Sequence, residues 1–352
     1  MSKIEWTEKT WNPLAGCSKV SAGCQNCYAL IMANRLANIG STREKYKDTT
    51  RKTESGKVQW TGKVNFDEKA LLEPLRRKKP TIYFVNSMSD LFHENVKEEW
   101  IDKVFAVMAL CPQHTFQVLT KRPKRMKEYF LSREVNTSQK FRILKASEQF
   151  DSYATSEQVK HLSDKVWYDL LQGETKVDRN TRNYVFLKNV WLGVSVENQE
   201  AANERIPYLL ETPAHKRFVS AEPLLGNIDL DNIHLRYEYC INSLNGKVYF
   251  REWEEEFQKY EYQEYLNGHY EKLDWVIAGG ESGKNARPMH VNWVRSIRDK
   301  CKEAGTAFFF KQWGELDPNN NYETTVYRVR KKEAGNLIGG KEYKEYLRLL
   351  LM

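Results

Sequence analysis

Val190–Asn198 reads VWLGVSVEN, an apolar, β-branched run that closes on polar residues. The same form recurs at Thr81–Asp90 (TIYFVNSMSD), Thr115–Pro123 (TFQVLTKRP), Lys216–Leu224 (KRFVSAEPL), Asp274–Ser282 (DWVIAGGES) and Thr306–Gly314 (TAFFFKQWG). A parallel strand covered by helices on both faces reads as a continuous apolar run of this kind. Helix-like stretches lie between the runs. In Lys97–Leu110 the apolar residues Trp100, Ile101, Val104, Phe105, Val107 and Met108 fall near helical spacing. Asn292–Ala304 behaves alike, with Gly305 as its stop. Strand alternating with helix predicts parallel β/α units. The expected fold class is therefore α/β: a partial or complete parallel β/α (TIM-like) barrel.

In barrels and open α/β sheets, chemistry gathers at the C-terminal ends of the strands. Those ends carry Ser87, Ser89 and Asp90; Thr120, Lys121 and Arg122; Ser195, Glu197 and Asn198; Glu222; Glu281 and Ser282; and Lys311 and Gln312. One polar strand end is ordinary. Six in succession predict a shared polar cavity. Two regions break the rhythm: 131–187, long and charged, and 229–272, rich in Tyr, Glu and Lys, with a hairpin about Asn245-Gly246. Both read as insertions into a single domain spanning 1–352. A basic C-terminal extension at 326–352 is expected to be helical at its end.

Of the 352 residues 41% are hydrophobic, with 10 Trp, 19 Tyr and 15 Phe, which excludes global disorder. No apolar run approaches the roughly 18 residues of a membrane span, and the first residues have no signal-peptide character. The expectation is a protein of the bacterial or phage-infected cytoplasm with no membrane partner. The formal net charge of +8 permits nucleic acid as a partner and equally fits a solvated basic surface.

Six cysteines are present, and three of them fall within WNPLAGCSKVSAGCQNCYA, Trp11–Ala29. The spacing is C-x6-C-x2-C. Thiolates hold iron–sulfur clusters, and a C-x2-C pair brings two sulfurs to one centre. Gly16 and Gly23 each precede a cysteine and let the loop turn tightly. A structural zinc site takes four protein ligands, and the nearest histidine is His93. Zinc completed by a distant ligand, or three unrelated cysteines, remain alternatives at this point. Cys111, Cys240 and Cys301 read as small buried residues. YALIMANRLANIG, after Cys27, reads as a helix.

A three-cysteine loop ahead of the first helix of a β/α barrel resembles the radical S-adenosylmethionine enzymes, whose usual spacing is C-x3-C-x2-C; here the first gap is three residues longer. The order NSMSDLFHE, VLTKRP, GVSVENQEAANERI and SAEPLLG resembles the spore photoproduct lyase-like branch. The blocks WNP…GC…GCQNCYA, VLTKRP, WLGVSVEN, FVSAEPLLG, GGESG and FFFKQWGE make the chain similar to a phage-associated family of three-Cys-motif proteins of undefined function.

The resemblance implies a barrel of the radical S-adenosylmethionine type. It implies a [4Fe–4S] cluster on Cys17, Cys24 and Cys27, with S-adenosylmethionine on the open iron cleaved to a 5′-deoxyadenosyl radical. It places Tyr28, Asn86, Ser87, Asp90, Ser195 and Glu197 on the cofactor. Lys121, Glu222, Glu281 and Lys311, with Gln312 and Trp313, fall to the substrate side. Implied partners are nucleic acid or nucleotide as substrate, a three-Cys-motif partner protein, and an electron donor such as flavodoxin or ferredoxin. The competing functional reading is a non-catalytic nucleic-acid-binding module with a structural zinc or iron–sulfur site.

Overall fold

The structure is a computed structural model that describes residues 4–131, 143, 146, 147, 149, 150, 187–235, 237–254, 259–316 and 327–347. Most of the insertion expected at 131–187 lies outside the described residues. The main sheet has seven strands: β1 (Lys9–Trp11), β2 (Ile82–Val85), β3 (Thr115–Thr120), β4 (Val190–Ser195), β5 (Lys216–Ala221), β6 (Trp275–Gly279) and β7 (Ala307–Gln312). Their order in the sheet is their order in the chain, with β1 and β7 at the two edges. The pairs β1–β2, β2–β3, β5–β6 and β6–β7 are parallel. This is a mixed α/β fold of the partial β/α barrel kind.

All six expected apolar runs contain a strand. The seventh, β1, lies in the polar stretch KTW, three residues long, where no apolar run marks it. It forms because β2 offers an edge: Lys9, Thr10 and Trp11 pair with Tyr83, Phe84 and Val85.

The chain divides into two compact units, one of residues 1–20, 27–192 and 212–216, the other of residues 21–26, 193–211 and 217–352. In the first, Trp11, Phe116 and Tyr83 pack together; the Trp11 and Phe116 rings are 5.4 Å apart and the Tyr83 and Phe116 rings stack at 5.6 Å. Two helices of this unit follow the sequence pattern, α1 (Tyr28–Leu36) and α2 (Glu98–Ala109), and a further one, α3 (Pro123–Phe130), follows β3. Helix α2 starts with Glu98 and Glu99, which suit its positive end, and buries Ile101, Val104, Phe105, Val107 and Met108.

In the second unit Trp275, Phe218 and Phe309 form the fully buried centre. Its helices are α4 (Gln199–Glu211) and α5 (Val291–Ala304). Helix α5 stops at Gly305, whose φ of 67° is the left-handed conformation that glycine adopts without strain. The region 229–272 forms a separate four-stranded antiparallel sheet, and the hairpin about Asn245-Gly246 is present, with Tyr239–Ile241 paired to Lys247–Glu254. Cys111, Cys240 and Cys301 are buried, as small core residues should be.

The C-terminal extension was expected to be helical at its end, of which residues 348–352 lie outside the described residues. Within its described part the only α-helix is the single turn Lys331–Ala334, and Lys341–Glu342 is a strand. Beyond it, Phe310 N donates to Tyr343 O at 2.7 Å and Glu345 N to Phe308 O at 3.1 Å. Without this segment the edge strand β7 would leave those N–H and C=O groups without a strand partner, and this tertiary demand overrides local helix propensity.

Gly193 on β4 faces the Phe218 ring so closely that a Cβ would lie 2.6 Å from its carbons. Gly193→Ala should therefore lower stability by about 1–3 kcal/mol through overpacking. Urea unfolding followed by circular dichroism measures this; an unchanged midpoint would show that Phe218 moves aside without cost.

Candidate functional site

Cys17 opens the cysteine loop in the first unit. Its neighbour Gly16 donates from N to Met88 O at 3.3 Å and accepts from Ser89 Oγ at 2.7 Å. The loop is thereby tied to the segment that follows the C-terminal end of β2. Only glycine fits at position 16: its φ is 104°, and a Cβ would lie 2.1 Å from Lys63 O.

Around Cys17 stands a charged network. Arg122 Nη1 donates to Asp90 Oδ2 at 3.0 Å and lies 4.0 Å from Cys17 Sγ; its Nε donates to Glu94 Oε2 at 2.7 Å and its Nη2 to Ser18 Oγ at 2.7 Å. Asp90 also accepts from Thr120 Oγ1 at 2.7 Å, Lys121 N at 3.1 Å and Phe92 N at 3.0 Å. Its carboxylate thus joins the strand ends of β2 and β3. Burial first, and the Asp90 charge second, push the Cys17 thiol up to about 12 against the pull of Arg122. Burial opposes the charge of Glu94, but hydrogen bonds from its own backbone amide, Arg122 and Ser18 hold its pKa down at about 2.

Residues 21–26, including Cys24, belong to the second unit, and there a different network grips the loop. Arg287 donates from Nε to Glu281 Oε2 at 2.8 Å and from Nη2 to Glu281 Oε1 at 2.6 Å, a two-pronged pair. The same guanidinium donates to Ala22 O at 3.0 Å and Gln25 Oε1 at 3.3 Å. Asn26 Nδ2 donates to Glu281 Oε2 at 3.0 Å and Asn285 O at 2.8 Å. Glu197, 2% exposed, accepts from Gly23 N at 3.4 Å and from Arg205 Nη1 at 3.0 Å. Glu281 and Glu197 follow the C-terminal ends of β6 and β4.

A sequence profile described as a protein of unknown function, DUF5131, matches residues 1–347, almost the whole chain. The chain belongs to the DUF5131 family. No curated protein and no solved structure matches it.

The remaining expected site residues of this DUF5131 chain fall as follows. Tyr28, 57% exposed at the start of α1, donates from Oη to Ser87 O at 2.9 Å. Ser87 Oγ donates to Asn12 Oδ1 at 3.0 Å. Asn86, at φ 59°, accepts on Oδ1 from Leu14 N at 3.3 Å, while its buried Nδ2 has no partner among the described residues. Ser195 Oγ donates to Glu222 O at 3.4 Å. Lys311 Nζ and Glu222 Oε1 form an ion pair at 2.8 Å, and Ser220 Oγ donates to the other Glu222 oxygen at 3.3 Å. Gln312 donates to Ser282 Oγ at 2.7 Å, and Trp313 Nε1 to Leu337 O at 2.8 Å. Gly280 and Gly314 lie against the neighbouring backbone: a Cβ on Gly280 would be 2.0 Å from Trp313 O, and one on Gly314 2.2 Å from Glu281 O.

None of the six cysteines is in a disulfide, and Cys17, Cys24 and Cys27 are all half-buried. Among the described residues no three His, Cys, Asp or Glu side chains are gathered as a site for a metal ion. The donor set nevertheless fits an iron–sulfur cluster chemically: three thiols on one short loop, with a guanidinium beside the first of them.

Sequence reasoning missed Arg287, Asn26, Arg205, Glu94 and His93. Only Arg205 left a signal. It lies on the buried stripe of α4 with Ala201, Ala202, Ile206 and Leu209, where an arginine needs a buried anion. Arg287 sits in a loop with no periodicity to mark it.

His93, fully buried, places Nε2 3.0 Å from Ser18 Oγ. Burial first, and Arg122 second, lower its pKa from 6.5 to about 4. The unfolded chain takes up a proton near pH 6.5 that the folded chain refuses until about pH 4. Stability from this residue is thus complete above about pH 6.5 and lost as pH falls toward 4, by up to about 3 kcal/mol. His93→Gln should lose less stability than the wild type across this window in denaturant titrations; parallel losses would assign the acid sensitivity elsewhere.

Proposed function

We propose that this chain is a radical S-adenosylmethionine enzyme, a partial barrel of that type, whose Cys17, Cys24 and Cys27 ligate a [4Fe–4S] cluster. The observation that supports the reading most is the way the cysteine loop is held. Its beginning is tied after β2 beside the Asp90–Arg122 pair, and its middle is gripped by Arg287, Glu281 and Glu197 after β6 and β4. C-terminal strand ends are where α/β sheets perform chemistry. A loop kept only for packing does not need two buried Arg–carboxylate networks. Three thiolate ligands also leave one iron of a cubane without a protein ligand.

When bound, the cluster and S-adenosylmethionine supply one-electron cleavage of the sulfonium and hence a hydrogen-abstracting radical. The chain's own residues prepare the loop. Cys17 Sγ, whose pKa burial raises to about 12, would release its proton to solvent on ligating the cluster, and Arg122, 4.0 Å away, would balance part of the thiolate charge. Arg287 holds the Ala22 carbonyl before Cys24 and the Gln25 side chain after it, and Glu281 holds the Asn26 side chain. Tyr28, Asn86, Ser87, Asp90, Ser195 and Glu197 are proposed on the cofactor side; Lys121, Glu222, Glu281 and Lys311 are proposed on the substrate side. The substrate proposed is nucleic acid or nucleotide, supported by the net charge of +8. A flavodoxin or ferredoxin as electron donor, a three-Cys-motif partner protein and a cytoplasmic setting in a bacterial or phage-infected cell complete the proposal.

Protein purified without oxygen, reconstituted with iron and sulfide and then reduced should convert S-adenosylmethionine to 5′-deoxyadenosine, and Cys24→Ala should abolish the product. Zinc-loaded wild type that forms no cluster and cleaves nothing would overturn the reading in favour of a non-catalytic binding module.

A further inference from the structure

The first unit has a second polar feature at the opposite ends of its strands. A cavity of about 470 Å3 is lined by Lys9, Arg76, Arg77, Lys78 and Lys79 together with Glu73, and Tyr83 closes it. Lys9 is the first residue of β1 and pairs in register with Tyr83 near the start of β2. Arg76–Lys79 run directly into β2. The cysteine loop leaves from the other ends of these same two strands.

Five cations against one carboxylate make a positive patch that attracts anions. Arg77 is partly engaged, with Nε donating to Thr81 Oγ1 at 2.5 Å. The side chains of Lys9, Arg76, Lys78 and Lys79 have no hydrogen bond or ion pair among the described residues. They come from two segments about seventy residues apart in sequence, and all four are exposed, so the fold assembles them into one basic surface. Three other cations in this unit do have carboxylate partners: Lys45 with Asp67 at 3.0 Å, Lys63 with Asp48 at 2.9 Å and Arg122 with Asp90 at 3.0 Å.

We propose that this pocket binds the phosphodiester backbone of nucleic acid. Four unpaired cations exceed the need of one phosphate and match several successive ones. Tyr83, the pocket's only aromatic, is 2% exposed and stacked on Phe116, so no ring face is offered to a base. Recognition is therefore of backbone charge rather than of base identity. The ligand class is that of the proposed substrate, but the pocket depends on no cysteine. It anchors the strand at a distance from the C-terminal strand ends.

The test measures binding of the full chain to labelled single- and double-stranded oligonucleotides of about 20 nucleotides across about 50–200 mM salt. Arg76→Glu, Lys78→Glu and Lys79→Glu combined should weaken binding at least about tenfold at the lower salt and reduce the log–log salt slope by about 2. The control combines Lys57→Glu, Lys272→Glu and Lys302→Glu, exposed residues with the same total change in charge; it should bind nearly as the wild type does. The Gln versions of the pocket substitutions serve if charge reversal disturbs folding. Equal loss in both sets, or no loss in either, overturns the pocket. Binding of ATP or inorganic phosphate that the pocket substitutions abolish, with no oligonucleotide bound, overturns the nucleic-acid assignment. S-adenosylmethionine cleavage by the reconstituted wild type is measured in a separate assay without oligonucleotide, so failure of cofactor cleavage and failure of strand binding are separate results.

Discussion

Glu197 and Glu281 carry negative charge into positions that are 2% and 7% exposed. A buried carboxylate deprived of its cation costs several kcal/mol. Each is met by an arginine that comes from a later element: Arg205 on α4 and Arg287 in the loop before α5. The remaining lone pairs must also be used, and they are used on the cysteine loop, through Gly23 N and Asn26 Nδ2. The need to satisfy these two charges decides the path of residues 21–26. Geometry around Cys24 follows from electrostatics more than from apolar packing.

The first unit solves the same problem at Cys17. Asp90 takes four donors, one of them the Arg122 guanidinium, and Arg122 in turn reaches Glu94 and Ser18. This network leaves Cys17 as a protonated thiol in a place where a cation already waits. Burial of this kind disfavours the thiolate, and the Arg122 guanidinium opposes that effect in part. The buried, neutral His93 belongs to the same network and makes it sensitive to acid.

The two ends of β1 and β2 therefore differ in kind. At the C-terminal ends, cations and carboxylates are matched, with Arg122 between Asp90 and Glu94. At the N-terminal ends, Lys9 and the Arg76–Lys79 run gather positive charge with little to balance it. Matched charge positions a loop; unmatched charge attracts a partner. A strand of three residues spans only about 10 Å, so both features rest on one short, rigid piece of sheet.

The six apolar runs, helices α1, α2 and α5, the Gly305 stop and the Asn245-Gly246 hairpin were legible in the sequence. Each rests on local periodicity or on a backbone preference that its own residues carry. The three cysteines and the polar strand ends were legible too, because they are runs of residue types. Strand β1 and the β-structure at 341–346 were decided only in the folded chain, by hydrogen-bonding edges that other strands present. Pairing was likewise tertiary: no local pattern joins Arg287 to Ala22 and Glu281, Arg122 to Cys17, or Lys9 to Arg76. Periodicity reports which face of an element is buried, whereas the partner of a buried charge is whichever opposite charge the fold brings within reach.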